Sequence, residues 1–230
     1  MKLNFHISYK AEENSPKIKE SGIKHMLGPI REKALQLKSE NKSIGKYVQN
    51  LYKEKRKDLL DTKKDFHKIW EEIKKDYEKE ISKILGIKLQ NKKCYISPTI
   101  GGLADVTSGK EIFIYCFREP IKNIEAKEVL KYLLLHELTH LYYRDKLKQI
   151  NFSEGMKASL MESIDHLILF YSPLKNLFHK QLKSKLVGFI SKNYEFMKAL
   201  EKEWKKRENF ESFMYKAIEI DKKFPNVIIC

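Results

Sequence analysis

The amino-acid sequence predicts an α+β fold, with a small N-terminal mixed β-sheet and its helices packed on a mainly α-helical half. Three short runs with strand character lie before residue 118, whereas residues 125 to about 222 have helical periodicity almost throughout. The composition, 42% hydrophobic and 11% aromatic, is that of a folded chain. Because 230 residues suffice for one substantial core, we expect a single compact unit over residues 1–230.

The first strand is predicted at the N-terminus, where Leu3, Phe5, Ile7 and Tyr9 alternate with polar residues as in a half-buried strand. Helical stretches follow. The clearest has apolar residues at three- and four-residue steps: Phe66, Ile69, Trp70, Ile73, Tyr77, Ile81 and Ile84. We expect this helix to end near Gly86, since glycine favours the left-handed conformation that follows many helices.

Two short β-like runs come next, at residues 94–97 and 111–117. The residues between these runs include glycine, proline and serine, among them Gly101-Gly102, and these residue types favour turns. The pattern therefore predicts two strands joined by a loop.

The later, helical part of the chain has predicted breaks near Asn151, at Ser172-Pro173 and around Gly188. We therefore expect three segments. An N-terminal subdomain covers residues 1–124, a central helix pair covers 125–171, and a C-terminal helical extension covers 172–230.

The charge is strongly positive, with 46 Lys and Arg against 31 Asp and Glu, a formal net charge of +15 and a pI near 9.5. This charge permits binding to nucleic acid or other acidic partners, but no recognisable nucleic-acid motif accompanies it. The three cysteines are odd in number and far apart, which argues against a disulfide framework and favours a reducing compartment. Without a signal-peptide pattern or a run of about 18 apolar residues, we expect a soluble, cytoplasmic protein with no membrane span.

The clearest chemical signal is His136-Glu137-Leu138-Thr139-His140, an H-E-x-x-H motif in a strongly apolar predicted helix. Positions four apart lie on one helix face roughly 6 Å apart, so His136 and His140 can both direct an imidazole nitrogen to one tetrahedral zinc ion. Glu137 can take a proton from the attacking water and later pass it to the leaving amine. Composition alone would produce the motif in only about 1–2% of such chains. We therefore predict one zinc ion per chain.

This motif resembles that of the zincin metallopeptidases, and its five residues read the same as the thermolysin-like motif. The metzincin extension would require glycine and histidine where this chain has Tyr143 and Lys146, which excludes that branch. No histidine follows within the next helical turn. The resemblance is therefore to the gluzincin branch, in which a later helix supplies a carboxylate as the third ligand.

Two glutamates compete for the role of third ligand. Glu154 precedes a glycine, as in aminopeptidase-type gluzincins, whereas Glu162 lies inside the next predicted helix. In an antiparallel helix hairpin, facing residues are equidistant from the turn, and the midpoint between His140 and Glu162 is Asn151, a good turn and N-cap residue. The corresponding midpoint for Glu154 falls where there is no helix breaker, and Glu154 also suits a structural role at a helix N-terminus. Glu162 is therefore preferred, with Glu154 as the alternative.

The resemblance also implies supporting roles around the metal. Asp165 and His166, three and four residues beyond Glu162, are candidates to orient a ligand imidazole, although thermolysin-like enzymes have an Asp where this chain has His166. The oxyanion donor in this class is usually a Tyr or a His. Tyr143 and Tyr171 are candidates for that donor, and Tyr194 and His179 are also available.

Zincins bind an extended substrate along an edge strand above the active-site helix, and residues 111–117 are placed in the sequence to be that strand. The Gly101-Gly102 loop would then border the cleft, which the helices after Pro173 could cover in a latent form. The expected function is zinc-dependent hydrolysis of a peptide or protein substrate. The alternative is a basic helical nucleic-acid-binding or regulatory protein with a structural or vestigial motif.

Overall fold

The computed structural model describes residues 1–15, 22–105, 108–118, 124–152, 156–179, 193–225 and 227. Within these ranges the chain forms four strands and eight α-helices, which confirms the α+β class. The chain divides into two compact units, Met1–Glu72 with Gln90–Leu141 and Ile73–Leu89 with Tyr142–Cys230. The three segments expected from the sequence stay a prediction.

The sheet belongs to the first unit and is mixed. Its strands are β1 (Leu3–His6), β2 (Lys92–Ser97), β3 (Gly102–Asp105) and β4 (Glu111–Tyr115), in the spatial order β1-β2-β4-β3. The first three strands in this order run parallel, whereas β3 is antiparallel to β4. The strand predicted from the alternation at the N-terminus is thus confirmed over residues 3–6.

The helices of the first unit are α1 (Tyr9–Asn14), α2 (Gly28–Ser39), α3 (Ile44–Glu54) and the first parts of α4 (Arg56–Leu85) and α5 (Ala126–Gln149). A short 3-10 helix, Gly22–His25, precedes α2. Serines begin two of these helices, because Ser8 and Ser43 each accept a hydrogen bond from a first-turn backbone N–H at 3.2 Å.

Helices lie on both faces of the sheet. On one face, Phe5 of β1 stacks on Phe66 of α4 with 5.4 Å between ring centroids. On the other face, Tyr95, Leu103 and Phe113 form a buried cluster with Ile100, and part of α1 packs against that cluster. Tyr95 pairs in register with Phe113, and Leu103 pairs with Phe113 from the edge, so the three side chains share this face.

The second unit is helical where it is described. It contains the last parts of α4 and α5, then α6 (Ala158–Phe170), a 3-10 helix (Pro173–Leu177), α7 (Tyr194–Lys206) and α8 (Phe210–Lys223). Helices α7 and α8 pack against each other and against α6. None of the helices in the described ranges combines the length and apolar character needed to cross a membrane.

The predicted apolar stripe of α4 is confirmed, since six of its seven residues are buried and the seventh, Ile84, is half-buried. The helix also ends as predicted. Gly86 has φ +63° and its N–H donates to the carbonyl of Ser82 at 2.8 Å, as at a glycine-terminated helix.

Asn151 lies in a turn, as predicted, but it ends a helix and does not begin one. Its φ is +55°, and the N–H groups of Asn151 and Phe152 donate to the carbonyls of Lys148 and Leu147 at 3.3 and 2.8 Å. This pair of bonds is a Schellman motif, which closes α5. The next helix begins at Ala158, so the prediction of Asn151 as an N-cap is wrong. The break predicted around Gly188 lies outside the described residues.

The prediction that residues 111–117 form the edge strand is also wrong. Residues 102–105, expected to be loop, form β3 and pair with β4, which places β4 between β2 and β3. Gly, Ala and Asp have low strand propensity, so the local signal for β3 is weak. Pairing with β4 overrides that weak preference, so in the described part of the chain β3 and not β4 lies at this edge of the sheet.

Candidate metal centre

The H-E-x-x-H motif lies on α5, which is embedded in apolar neighbours. Leu134, Leu135, Leu138 and Leu141 are fully buried. A helix enclosed in this way holds its polar side chains in fixed directions, because any rotation would expose leucines to water. His136 is half-buried, whereas His140 and Glu137 are only 8% and 6% exposed.

The two histidines converge through their Nε2 atoms. These atoms are 3.2 Å apart, and the ring centroids are 4.5 Å apart with an interplanar angle of 83°. Two nitrogens about 2.0–2.1 Å from one tetrahedral zinc ion would be separated by about 3.3 Å. The observed Nε2 separation therefore fits two ligands of a single zinc ion.

Glu162 on α6 supplies a third donor atom. One ligand atom each from His136, His140 and Glu162 lie within 4.8 Å of one another. Two imidazole nitrogens and a carboxylate oxygen make up a donor set that suits zinc and leaves a fourth position open. This group could hold a metal ion. Glu154, the alternative ligand, lies outside the described residues.

Helix α5 contacts α6 at Met161, the residue before Glu162. The guanidinium of Arg144 contacts the sulfur of Met161. Burial raises the pKa of the Tyr143 phenol well above its ordinary value, and the carboxylates of Asp165 and Glu162 add to that rise. The charges of both carboxylates therefore act on Tyr143, which follows His140 by three residues on α5.

Asp165 and His166 share a helix face with Glu162, as their spacing requires. Asp165 is 1% exposed. The His166 ring is half-buried, with centroids 4.9 Å from Phe170 and 5.9 Å from Tyr171. Their roles in orienting a ligand imidazole stay predictions.

Glu137 points toward the sheet. A Cβ placed on Gly102 of β3 would lie 2.5 Å from Oε1 of Glu137, so strand and carboxylate are in direct contact. Burial raises the pKa of the Cys94 thiol on β2, and the negative charge of Glu137 raises that pKa further. The carboxylate therefore lies between α5 and the β3 side of the sheet.

The candidate oxyanion donors differ in exposure. Tyr143 has no exposed surface, whereas Tyr171 is half-buried. Burial raises the pKa of Tyr171, and a hydrogen bond with Glu201 contributes to the rise. Tyr194 is 55% exposed and His179 is exposed. The oxyanion donor stays a prediction for all four residues.

The sequence assigns no role to Tyr132 beside the motif, and it places Gly102 only in a loop that borders the cleft. The Tyr132 ring lies 5.4 Å from the His136 ring, and Gly102 touches Glu137. The sequence does contain a signal for Tyr132. Tyr132, His136 and His140 are spaced four residues apart, which places them on one face of the helix. No local signal identifies Gly102, because its contact depends on how β3 lies against α5.

Comparison of this chain with protein-family models, with curated proteins and with solved structures finds no match.

Proposed function

We propose that this chain is a zinc-dependent metallopeptidase with one zinc ion held by His136, His140 and Glu162. Glu137 is the general base. The observation that carries the proposal is the convergence of the three ligand atoms within 4.8 Å, with the 3.2 Å separation of the two Nε2 atoms. A glutamate directly follows the first histidine ligand on the same helix.

His136, His140 and Glu162 would hold the zinc ion, which would supply Lewis-acid polarisation of a water molecule and of the substrate carbonyl. The carboxylate of Glu137 takes a proton from the attacking water and returns it to the departing amine. Glu137 is nearly buried, so few bulk water molecules compete for its oxygens. The absence of a side chain at Gly102 leaves room for the carboxylate in this position.

The edge strand next to Glu137 favours a peptide as the substrate. β3 ends the sheet in the described part of the chain, and its first residue contacts Glu137. An extended peptide can pair with the main-chain groups of an edge strand. We assign the substrate-pairing role to β3, in place of residues 111–117.

A cytoplasmic location forms part of the proposal. Cys94 and Cys116 are buried free thiols, as is usual for proteins of reducing compartments.

The test is zinc content measured together with peptide cleavage. Wild-type protein should bind one equivalent of zinc, and Glu137→Gln should retain that zinc while losing about 10²- to 10⁴-fold in turnover of a fluorogenic peptide library. Glu128→Gln is the matched control, since Glu128 lies on the same helix and pairs with Lys131 at 2.6 Å. Wild-type protein without zinc, or Glu137→Gln with full activity, would show the proposal to be wrong.

The alternative, a basic nucleic-acid-binding or regulatory protein, rests on the net charge of +15. It requires the motif to be structural or vestigial. In that case affinity for DNA or RNA should fall steeply as salt rises, because bound counterions are released. A protein that binds nucleic acid in this way and cleaves no peptide would favour this alternative.

A further inference from the structure

A concave cleft lies in the first unit, between β1 and the α3–α4 region. The cleft has a volume of about 570 Å³, within the range of small-molecule sites. Its polar lining consists of His6, Tyr52, Lys53, Arg56 and Lys63. An apolar wall adjoins these residues.

The lining is cationic. Tyr52 lies on α3, and Arg56 and Lys63 lie on α4. The steps between them are four and seven residues, which correspond to about one and two helical turns, so the three side chains lie on one side. None of the described residues that line the cleft is acidic. Lys53, Arg56 and Lys63 form no ion pair with another described residue, so their charges are available to a ligand.

The field at the β1 side of the cleft is also positive. The pKa of His6 lies below its ordinary value because burial, Lys63 and Lys93 all disfavour the imidazolium. Glu111 acts in the opposite direction, but its effect is smaller. His6 is therefore a neutral wall of the cleft at physiological pH, and the lysines set the local charge.

The apolar part of the lining is substantial. Leu59 is fully buried, and Leu60 is 44% exposed and forms part of the cleft wall with Ile7. The hydroxyl of Tyr52 donates to Glu12 at 2.7 Å, so this residue offers its ring more than its hydroxyl. The cleft thus combines three cations with an apolar surface.

This cleft is separate from the candidate metal centre. His6 and Ile7 lie at the end of β1, which forms one edge of the sheet. Glu137 contacts β3, which forms the other edge. The cleft therefore does not belong to the proposed peptidase site.

We propose that this cleft binds a small phosphorylated organic molecule, with its phosphate groups on Lys53, Arg56 and Lys63 and its organic part against Leu60. A guanidinium matches the geometry of two phosphate oxygens, and two further cations suit a ligand with more than one negative charge. The concave shape favours a small molecule over an extended polyanion. The proposal is independent of the peptidase proposal and is tested without measuring catalysis.

The experiment is isothermal titration calorimetry on the full chain, with inorganic pyrophosphate and ADP as probes at about 0.15 M ionic strength. Both probes should bind at one site, and ADP should bind more tightly because its organic part adds apolar contact. Arg56→Gln combined with Lys63→Gln should weaken binding of both at least about tenfold. Lys57→Gln combined with Lys68→Gln is the matched control, since both lysines are exposed, lie on the same helix and do not line the cleft.

The same two variants separate a specific cleft from a general charge effect. The control variant removes the same charge but should keep ADP affinity within about twofold of the wild-type value. Absence of saturable binding, or equal weakening by both variants, would overturn the proposal. A single-stranded oligonucleotide is the third probe. If it binds more tightly than ADP and both variants weaken it equally, the basic surface as a whole binds nucleic acid and the cleft proposal is wrong.

Discussion

Gly102 lies in contact with the carboxylate of Glu137, so that a Cβ at residue 102 would stand 2.5 Å from Oε1. The same Cβ would lie 3.5 Å from Leu133 on the preceding turn of α5. The constraint is steric, because real Cβ atoms essentially never approach an oxygen so closely. The edge strand therefore determines where the carboxylate of the proposed base can lie.

Gly102→Ala should leave zinc binding intact and reduce peptide cleavage. The added methyl group must displace Glu137, whereas the three atoms nearest to it include none from His136, His140 or Glu162. A displacement of about 1 Å at a catalytic group can cost about 100-fold in rate. The measurement is kcat/KM on a fluorogenic peptide, together with zinc content and circular dichroism.

Gly28→Ala is the matched control for this substitution. A Cβ at Gly28 meets nothing within 4 Å, so the same chemical change is made without a clash. Its cleavage activity should equal that of the wild type. A folded, zinc-loaded Gly102→Ala protein with unchanged kcat/KM would mean that the position of Glu137 does not limit the reaction.

Zinc affinity should distinguish the two candidate glutamates. Glu162 lies with the histidines in the group of converging donors, so Glu162→Gln should weaken zinc binding by more than about 100-fold, since even residues beyond the ligands contribute 10- to 100-fold. Glu154→Gln should bind zinc as the wild type does. Competition with a chromogenic chelator measures both affinities.

The two substitutions control for each other, because each replaces one glutamate in the α5–α6 region and removes one negative charge. If Glu154→Gln loses zinc and Glu162→Gln retains it, the third ligand has been assigned to the wrong residue. If neither variant loses zinc affinity, neither glutamate is a ligand of the zinc ion, which contradicts the proposed ligand set.

The sequence predicts the centre of the metal site better than its borders. His136 and His140 face one way because helical periodicity alone places residues four apart on one side. The preference for Glu162 also follows from a local argument, since facing residues of an antiparallel helix hairpin are equidistant from the turn, which the sequence predicts near Asn151. Both predictions depend on regular geometry that is independent of the rest of the fold.

The sheet beside the site could not be predicted in the same way. Residues 102–105 become a strand only because β4 supplies hydrogen-bonding partners, from Gly102 opposite Ile114 to Asp105 opposite Glu111. Their own propensities favour a turn. The identity of the edge strand, and with it the contact between Gly102 and Glu137, therefore depends on tertiary pairing that no short window of sequence contains.

Cys116 should make the protein less stable at alkaline pH. The side chain is 3% exposed, and burial raises the pKa of its thiol from the ordinary 9.0 to about 11. Above pH 9 the unfolded chain loses this proton while the folded chain keeps it, so the free energy of unfolding falls until the folded thiol also titrates near pH 11. A shift of this size corresponds to at most about 2–3 kcal/mol.

Lysines and tyrosines titrate in the same range, so the measurement is a difference between wild type and Cys116→Ser. Urea unfolding at several pH values should give parallel stabilities below pH 8 and a smaller alkaline loss for the variant. A stability difference that stays constant from pH 7 to pH 11 would mean that the thiol does not titrate as burial requires.

Glu12 should be a major stabilising residue of the first unit. It is 3% exposed, and its carboxylate accepts hydrogen bonds from Tyr52 and Ser97 at 2.7 Å each and from Thr99. Glu12→Ala leaves two buried hydroxyls and the part-buried hydroxyl of Tyr52 without this acceptor, so it should lower the free energy of unfolding by about 3–5 kcal/mol. Urea denaturation followed by circular dichroism measures the change.

Glu13 provides the comparison, because it is the next residue along α1 but is exposed, and its hydrogen-bond donor among the described residues is Tyr9 of the same helix, at 2.8 Å. Glu13→Ala should stay within about 0.5 kcal/mol of the wild type. Glu12→Gln keeps one acceptor oxygen and should lie between the two alanine variants. Equal stabilities of Glu12→Ala and Glu13→Ala would show that water replaces the buried carboxylate at no cost. The β2–β3 connection leading to Gly102 would then be held by other contacts.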